Sequence, residues 1–123
     1  PPDDYGGAMA DCLFCRIVAG EVPATIVKRS GDAVAFRDVD PRAPTHVLVI
    51  PTRHVAAVRD VQGAQDEAML GRVLRFAAEV ASEQGLDPGG YRIVTNTGND
   101  AGQSVDHLHF HVLGGRKLSW PPG

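Results

Sequence analysis

The segment that most constrains this chain is residues 107–113, which read HLHFHVL and hold three of the five histidines. Successive side chains of a β-strand point to opposite faces of the sheet. In a strand, His107, His109 and His111 would share one face, about 6.5 Å apart, while the apolar residues between them face a core. Ordinary sheet alternation is one explanation of this pattern. Three imidazoles in a row also indicate a metal site or a catalytic site.

The composition is that of a single soluble domain. The chain has 123 residues, 43% of them hydrophobic and 22% charged, with a formal net charge of −3. This length supports one modest hydrophobic core. Because there is no basic excess, nucleic-acid binding is disfavoured. No apolar run approaches the roughly 20 residues of a membrane span, and no signal segment opens the chain, so we expect a cytoplasmic protein.

Turn-forming residues separate the predicted elements. Residues 1–10 predict a flexible N-terminal arm, and residues 11–123 predict one domain. Residues 12–18 predict a short helix, and the helical spacing of apolar residues at 65–84 predicts a long one. The predicted strands are residues 25–29, 33–38, 46–50, 91–96 and 107–113. The expected fold is α+β, with a five-stranded antiparallel sheet, one long helix and one short helix.

A polar loop with two glycines, residues 97–104, leads directly into the histidine segment. Such a loop can wrap backbone N–H groups around an anion. A neutral imidazole is a competent nucleophile at phosphorus, and its neighbours can orient it and donate a proton to the departing atom. Together with the hydroxyl of Ser104, the segment therefore indicates a phosphate site with covalent catalysis.

Cys12 and Cys15 form a C-x-x-C pair near the start of the chain. The two residues are too close for a disulfide that staples the fold, and their spacing fits a redox pair or two ligands of a metal. The alternative is that both face the core as small hydrophobic residues. A thioredoxin-like role is disfavoured because no βαβ pattern surrounds the pair.

The histidine segment resembles the histidine triad (HIT) signature. Residues 43–51, 102–105 and 120–123 are also similar to the Hint branch of that superfamily, so the resemblance covers the chain from residue 11 to the C terminus. It implies the HIT-like fold, with two five-stranded sheets joined in a homodimer. It also implies hydrolysis of purine nucleoside 5′-phosphoramidates, which yields AMP or GMP and an amine.

The resemblance gives a role to each matching residue. His109 is similar to the nucleophile that attacks the α-phosphorus, His111 to a histidine that contacts the phosphate, and His46 to an upstream member of the proton network. Ser104 matches a position near the leaving group, and Asp38 matches a carboxylate that holds the ribose hydroxyls. The implied purine slot and phosphate neighbours are Phe14, Ile17, Val22, Phe36, Leu48, Asn96 and Gln103. Core packing, a turn at Asp38 and loop closure by Ser104 are the simpler alternatives.

The C-x-x-C pair is similar to a feature of other branches of the superfamily. Many bacterial members bind zinc with such a pair, a downstream histidine and the first triad histidine, whereas eukaryotic Hint members lack the cysteines. The matching residues imply a structural zinc held by Cys12, Cys15, His54 and His107. Catalysis itself would need no cofactor.

Other functions fit parts of the sequence. The same covalent intermediate serves nucleotidyl transfer or dinucleoside-polyphosphate cleavage, although uridylyltransferases have glutamine where this chain has His111. A non-catalytic nucleotide-binding interaction module would keep the site without turnover. An enzyme with a metal on three strand histidines is disfavoured, since no carboxylate partner is evident. The sequence leaves open the physiological amine and the choice between adenine and guanine.

Overall fold

One five-stranded antiparallel sheet runs through the computed structural model, which describes residues 11–123. The elements in chain order are α1 (Leu13–Val18), β1 (Ile26–Arg29), β2 (Ala33–Arg37), β3 (Thr45–Pro51), a 3-10 turn (Val58–Asp60), α2 (Gly63–Glu83), β4 (Tyr91–Val94) and β5 (Phe110–Gly114). The predicted α+β class is confirmed. The arm predicted at residues 1–10 lies outside the described residues.

The central strands of the sheet carry two of the predicted catalytic residues, His46 and His111. The strand order is β1-β2-β3-β5-β4, so β3 and β5 each have a neighbour on both sides. The pairs His46↔Leu113 and Leu48↔His111 place the two histidines on the same face of the sheet, one diagonal step apart. Pairing of β3 with β5 therefore joins the upstream histidine to the triad.

Two apolar layers cover the two faces of the sheet. The long helix α2 packs Phe76 and Val80 against one face, where Leu108, Phe110 and Val112 also lie, as the alternation predicted. The short helix α1 packs on the other face with a smaller buried cluster. That cluster consists of Cys12, Phe14, Cys15, Ile17, Val34, Phe36, Leu48 and Ile50. Covering of both faces explains why β3 is apolar and buried along almost its whole length.

The strand predicted at residues 107–113 begins only at Phe110. Pairing of β5 with β3 ends at Val49↔Phe110, and the preceding backbone turns to other partners. The N–H of Leu108 donates to the carbonyl of Val55 at 2.6 Å rather than to a strand. The prediction that all three triad histidines lie on one regular strand was therefore wrong for His107 and His109, which precede it. Other strand ends shift by one or two residues; β4, for example, ends at Val94.

Candidate functional site

The triad histidines and His46 gather on the face of the sheet that α1 covers. The ring centroids of His46 and His111 are 5.1 Å apart, and those of His109 and His111 are 5.2 Å apart. His109 is only 3% exposed, and the ring of Phe14 on α1 packs edge-on against it at 5.2 Å. The structure therefore brings the three predicted catalytic histidines together in a largely dry site.

The backbone fixes the protonation of the His109 ring. Nδ1 of His109 lies 2.8 Å from the carbonyl oxygen of His107. A carbonyl can only accept a hydrogen bond, so this nitrogen carries the proton in the neutral ring. The lone pair is then on Nε2, on the far side of the imidazole. That is the tautomer a nucleophile requires.

A second backbone group sets the direction of a chain of imidazoles. The N–H of Arg42 donates to Nδ1 of His46 at 3.0 Å, so the proton of neutral His46 is on Nε2. That Nε2 lies 2.9 Å from Nδ1 of His111 and 3.4 Å from Oδ2 of Asp38. His46 therefore donates to His111, and His111 keeps its own proton on Nε2, free to donate to a ligand.

Burial keeps the two members of this chain neutral. Burial, together with smaller contributions from the neighbouring His109 and His46, lowers the pKa of His111 from 6.5 to about 4. Burial also lowers the pKa of His46, against the opposing pull of the Asp38 carboxylate. At neutral pH both rings are therefore uncharged, as the donor chain requires.

A cavity of about 800 Å³ opens between α1 and the sheet, and its walls include Phe14, whose ring packs against His109. All five residues predicted for the purine slot line it, namely Phe14, Ile17, Val22, Phe36 and Leu48. Asp38 and Ser104 also line it, so the predicted ribose and leaving-group residues border the same space. The sequence interpretation missed the other wall residues, Leu13, Pro23, Ala24, Thr25, Arg37 and Val39. They lie in a loop or on exposed positions, where periodicity carries no information.

The two predicted phosphate neighbours lie on the loop that approaches the histidines. The side-chain amide of Gln103 accepts from the N–H of Gly98 at 2.9 Å and donates to the carbonyls of Ala56 and Val105 at 2.7 and 3.0 Å. Gln103 therefore closes the loop by side-chain to backbone bonds. Asn96 is half-buried just beyond the end of β4. Neither residue lines the large cavity.

The four predicted metal ligands form a compact cluster next to this site. Their ligand atoms, the two thiol sulfurs and one nitrogen from each imidazole, all lie within 4.8 Å of one another. The sulfur-to-nitrogen distances Cys12–His107 and Cys15–His54 are both 3.3 Å, and the two Nδ1 atoms are 3.2 Å apart. Zinc bonds of about 2.3 Å to sulfur and 2.0 Å to nitrogen imply tetrahedral nitrogen–nitrogen and sulfur–nitrogen edges of about 3.3–3.5 Å. The cluster therefore fits a tetrahedral zinc.

The surroundings of the cluster also suit a cation. Nε2 of His107 lies 2.9 Å from the carbonyl of Pro51, which places its proton there and leaves Nδ1 free as a ligand. Burial raises the pKa of Cys15 to about 12, with the nearby Cys12 contributing, and burial lowers the pKa of His107 to about 4. Thiols buried without a cation stay protonated, whereas a metal ion stabilises the thiolate form.

Comparison with known proteins agrees with this arrangement. The model of the HIT domain family matches residues 19–118. The chain is 47% identical over 113 residues to an uncharacterized HIT-like protein of Synechococcus elongatus, with 92% of this chain and 97% of that protein covered. It is 43% identical over 108 residues to the purine nucleoside phosphoramidase of Escherichia coli, with 88% and 90% covered. The chain therefore belongs to the HIT family.

A solved structure extends the comparison to three dimensions. A HIT family hydrolase from Legionella pneumophila superposes with a TM-score of 0.88 at 46% identity, covering 92% of this chain and all of that one. The fold is thus that of the HIT family, and similarity to hydrolases of the family supports the hydrolase class. Within residues 11–123, neither helix combines the length and the apolar character needed to cross a bilayer.

Proposed function

We propose that this chain hydrolyses purine nucleoside 5′-phosphoramidates through a covalent nucleotidyl-histidine at His109. The observation that carries the proposal is the fixed tautomer of a buried imidazole beside a cavity large enough for a nucleotide. The lone pair of neutral His109 is on Nε2, and the adjacent His111 has its N–H donor on Nε2. Similarity to the Escherichia coli phosphoramidase supports the choice of substrate.

The proposed reaction has two displacements at phosphorus. Nε2 of His109 forms a bond to the α-phosphorus, the P–N bond to the amine breaks, and the amine nitrogen takes the electron pair and a proton from solvent as it leaves. Water then attacks the phosphorus and releases a proton to solvent, the bond to His109 breaks with its electron pair returning to Nε2, and the nucleotide is released. Dividing the hydrolysis in this way replaces one difficult displacement with two easier ones.

The other site residues support those steps without forming bonds to phosphorus. The Nε2–H of His111 donates to a phosphate oxygen, where negative charge increases during attack. Ser104 borders the cavity at the position proposed for the leaving group, and the Asp38 carboxylate accepts from the ribose hydroxyls. The apolar walls formed by Phe14, Phe36 and their neighbours hold the base by burial rather than by hydrogen bonds.

The cysteine and histidine cluster has a structural role in this proposal. Cys12, Cys15, His54 and His107 would hold zinc, which when bound ties α1 to the loop after β3 and to the histidine segment. No step of the hydrolysis uses the metal. The homodimer and the cytoplasmic location remain predictions.

The proposal can be tested with an AMP phosphoramidate that carries a fluorescent amine. Wild type and His109→Ala are compared. Leu74→Ala, at an exposed position of α2, is the control for differences between protein preparations. Removing the nucleophile should lower kcat/KM by about 10³-fold or more. The reaction is quenched rapidly in alkaline denaturant, because the P–N bond to histidine hydrolyses in acid. Peptide mass spectrometry should then find AMP on the peptide of His109 in the wild type only.

Three other results would each contradict the proposal in a different way. Equal rates for wild type and His109→Ala would show that His109 is not the nucleophile. Binding of AMP without cleavage would favour the non-catalytic nucleotide-binding module. Faster cleavage of dinucleoside polyphosphates than of phosphoramidates would show that the chain is a dinucleoside-polyphosphate hydrolase instead.

A further inference from the structure

The proposed nucleophile lies just outside the hydrogen-bonded part of the sheet. β5 begins at Phe110, one residue after His109, and β4 ends at Val94, which pairs with His111. If that antiparallel register continued, Asn96 would lie opposite His109. The ladder stops before this point, so strand pairing does not fix the backbone of His109 on the β4 side.

A side-chain hydrogen bond holds the backbone at the point where strand pairing ends. The hydroxyl of Thr95, the first residue after β4, donates to the carbonyl oxygen of His109 at 2.8 Å. Thr95 is half-buried, so little water competes for this carbonyl. The bond fixes the peptide plane that follows His109, while the bond from Nδ1 to the carbonyl of His107 fixes the ring. Together they leave the imidazole little freedom to move.

We propose that Thr95 is a positioning residue, whose hydroxyl holds the backbone of His109 so that Nε2 points at the substrate phosphorus. Thr95 lines neither the large cavity nor the metal cluster, so it acts only through His109. Misplacement of a reacting group by about 1 Å is enough to cost up to about 10²-fold in rate. The kinetic part of this inference rests on the proposed function, whereas the placement of His109 does not.

The test compares Thr95→Val with Thr95→Ser. Valine keeps the shape of threonine and removes the donor, whereas serine keeps the donor and removes a methyl group. Thr52→Val is the matched control, because the hydroxyl of Thr52 donates to the carbonyl of Gly31 at the same distance, 2.8 Å, in another loop. All variants are measured as the full-length chain with zinc supplied.

Two readouts are needed. The first is the NMR spectrum of His109: Thr95→Val should shift its carbonyl 13C resonance and broaden or split the ring 15N resonances, while Thr95→Ser and Thr52→Val leave both unchanged. The second is turnover of the AMP phosphoramidate, where Thr95→Val should lower kcat by about 10-fold or more with KM nearly unchanged. Thr95→Ser should recover most of that loss.

The two readouts separate failure of this inference from failure of the proposed function. Unchanged His109 resonances in Thr95→Val would overturn the inference, whatever the activity. A wild type that does not cleave phosphoramidates, combined with shifted His109 resonances in Thr95→Val, would refute the proposed function and support the placement by Thr95. Equal loss of kcat in Thr95→Val and Thr95→Ser would also overturn the role of the hydroxyl.

Discussion

Phe14 is the side chain through which α1 supports the candidate site. It is 5% exposed, and its ring packs edge-to-face against Phe36, His107 and His109 at centroid distances of 5.5, 5.9 and 5.2 Å. Replacing Phe14 with alanine removes all three ring contacts and the apolar area that this side chain buries. A short helix of six residues has little stability of its own, so its packing on the sheet depends on such contacts.

The expected cost follows from these contacts. Truncation of a buried phenylalanine to alanine costs about 3–5 kcal/mol, and aromatic pairs contribute about 0.5–1.5 kcal/mol each beyond area. Phe14 also borders the open cavity, so its side chain is less completely packed than one inside the core. We therefore expect a loss near the low end, about 3 kcal/mol in the free energy of unfolding. Phe14→Leu keeps most of the volume and should cost about 1–1.5 kcal/mol.

Urea unfolding followed by circular dichroism measures these values. The midpoint should fall in the order wild type, Phe14→Leu, Phe14→Ala, with an unchanged dependence on urea concentration. Leu13→Ala is the control, since Leu13 is adjacent on α1 but 45% exposed, and it should cost under about 1 kcal/mol. A cost below about 1 kcal/mol for Phe14→Ala, or one equal to that of Leu13→Ala, would refute the view that Phe14 anchors α1.

Two more predictions concern metal and protons. Protein prepared with zinc should contain about one zinc per chain by elemental analysis, and Cys15→Ser should lose most of it and unfold at a lower temperature. An unchanged zinc content in Cys15→Ser would refute the ligand assignment. Because His111 has a pKa of about 4 when folded and 6.5 when unfolded, the unfolded chain binds more protons between these values. Stability should therefore fall as pH drops from 6.5 towards 4, and this fall should be smaller in His111→Asn; an identical pH dependence of the free energy of unfolding would contradict the burial of a neutral His111.

Much of the fold was predictable because side-chain periodicity reports which face is buried. The helical spacing at residues 65–84 predicted α2, found at Gly63–Glu83, and alternation predicted that Leu108, Phe110 and Val112 face its core. The end of the β5 ladder was not predictable in this way. It depends on where pairing with β3 stops and on the hydrogen bond from the N–H of Leu108 to the carbonyl of Val55. Neither can be inferred from the alternating pattern of the histidine segment.

For the site, the side chains were predictable from the sequence, whereas their hydrogen-bond partners on the backbone were not. The sequence contains the imidazoles, the thiols and the apolar wall residues, and the structure places them as neighbours. The sequence does not show which nitrogen of each imidazole carries the proton. The hydrogen-bond partners that decide this are main-chain groups, namely the N–H of Arg42 and the carbonyls of Pro51 and His107. Every residue except proline carries both groups, so only the path of the chain identifies them.

His107 takes part in both sites, but through different atoms. Its ring belongs to the metal cluster, whereas the oxygen that sets the tautomer of His109 belongs to its peptide group. An amino-acid substitution at position 107 can remove the imidazole ring, but the backbone carbonyl oxygen remains. The proposed metal site and the proposed nucleophile can therefore be altered independently by substitution at this position. Substitution of the two cysteines and of the His107 ring leaves in place the carbonyl that sets the proton of His109.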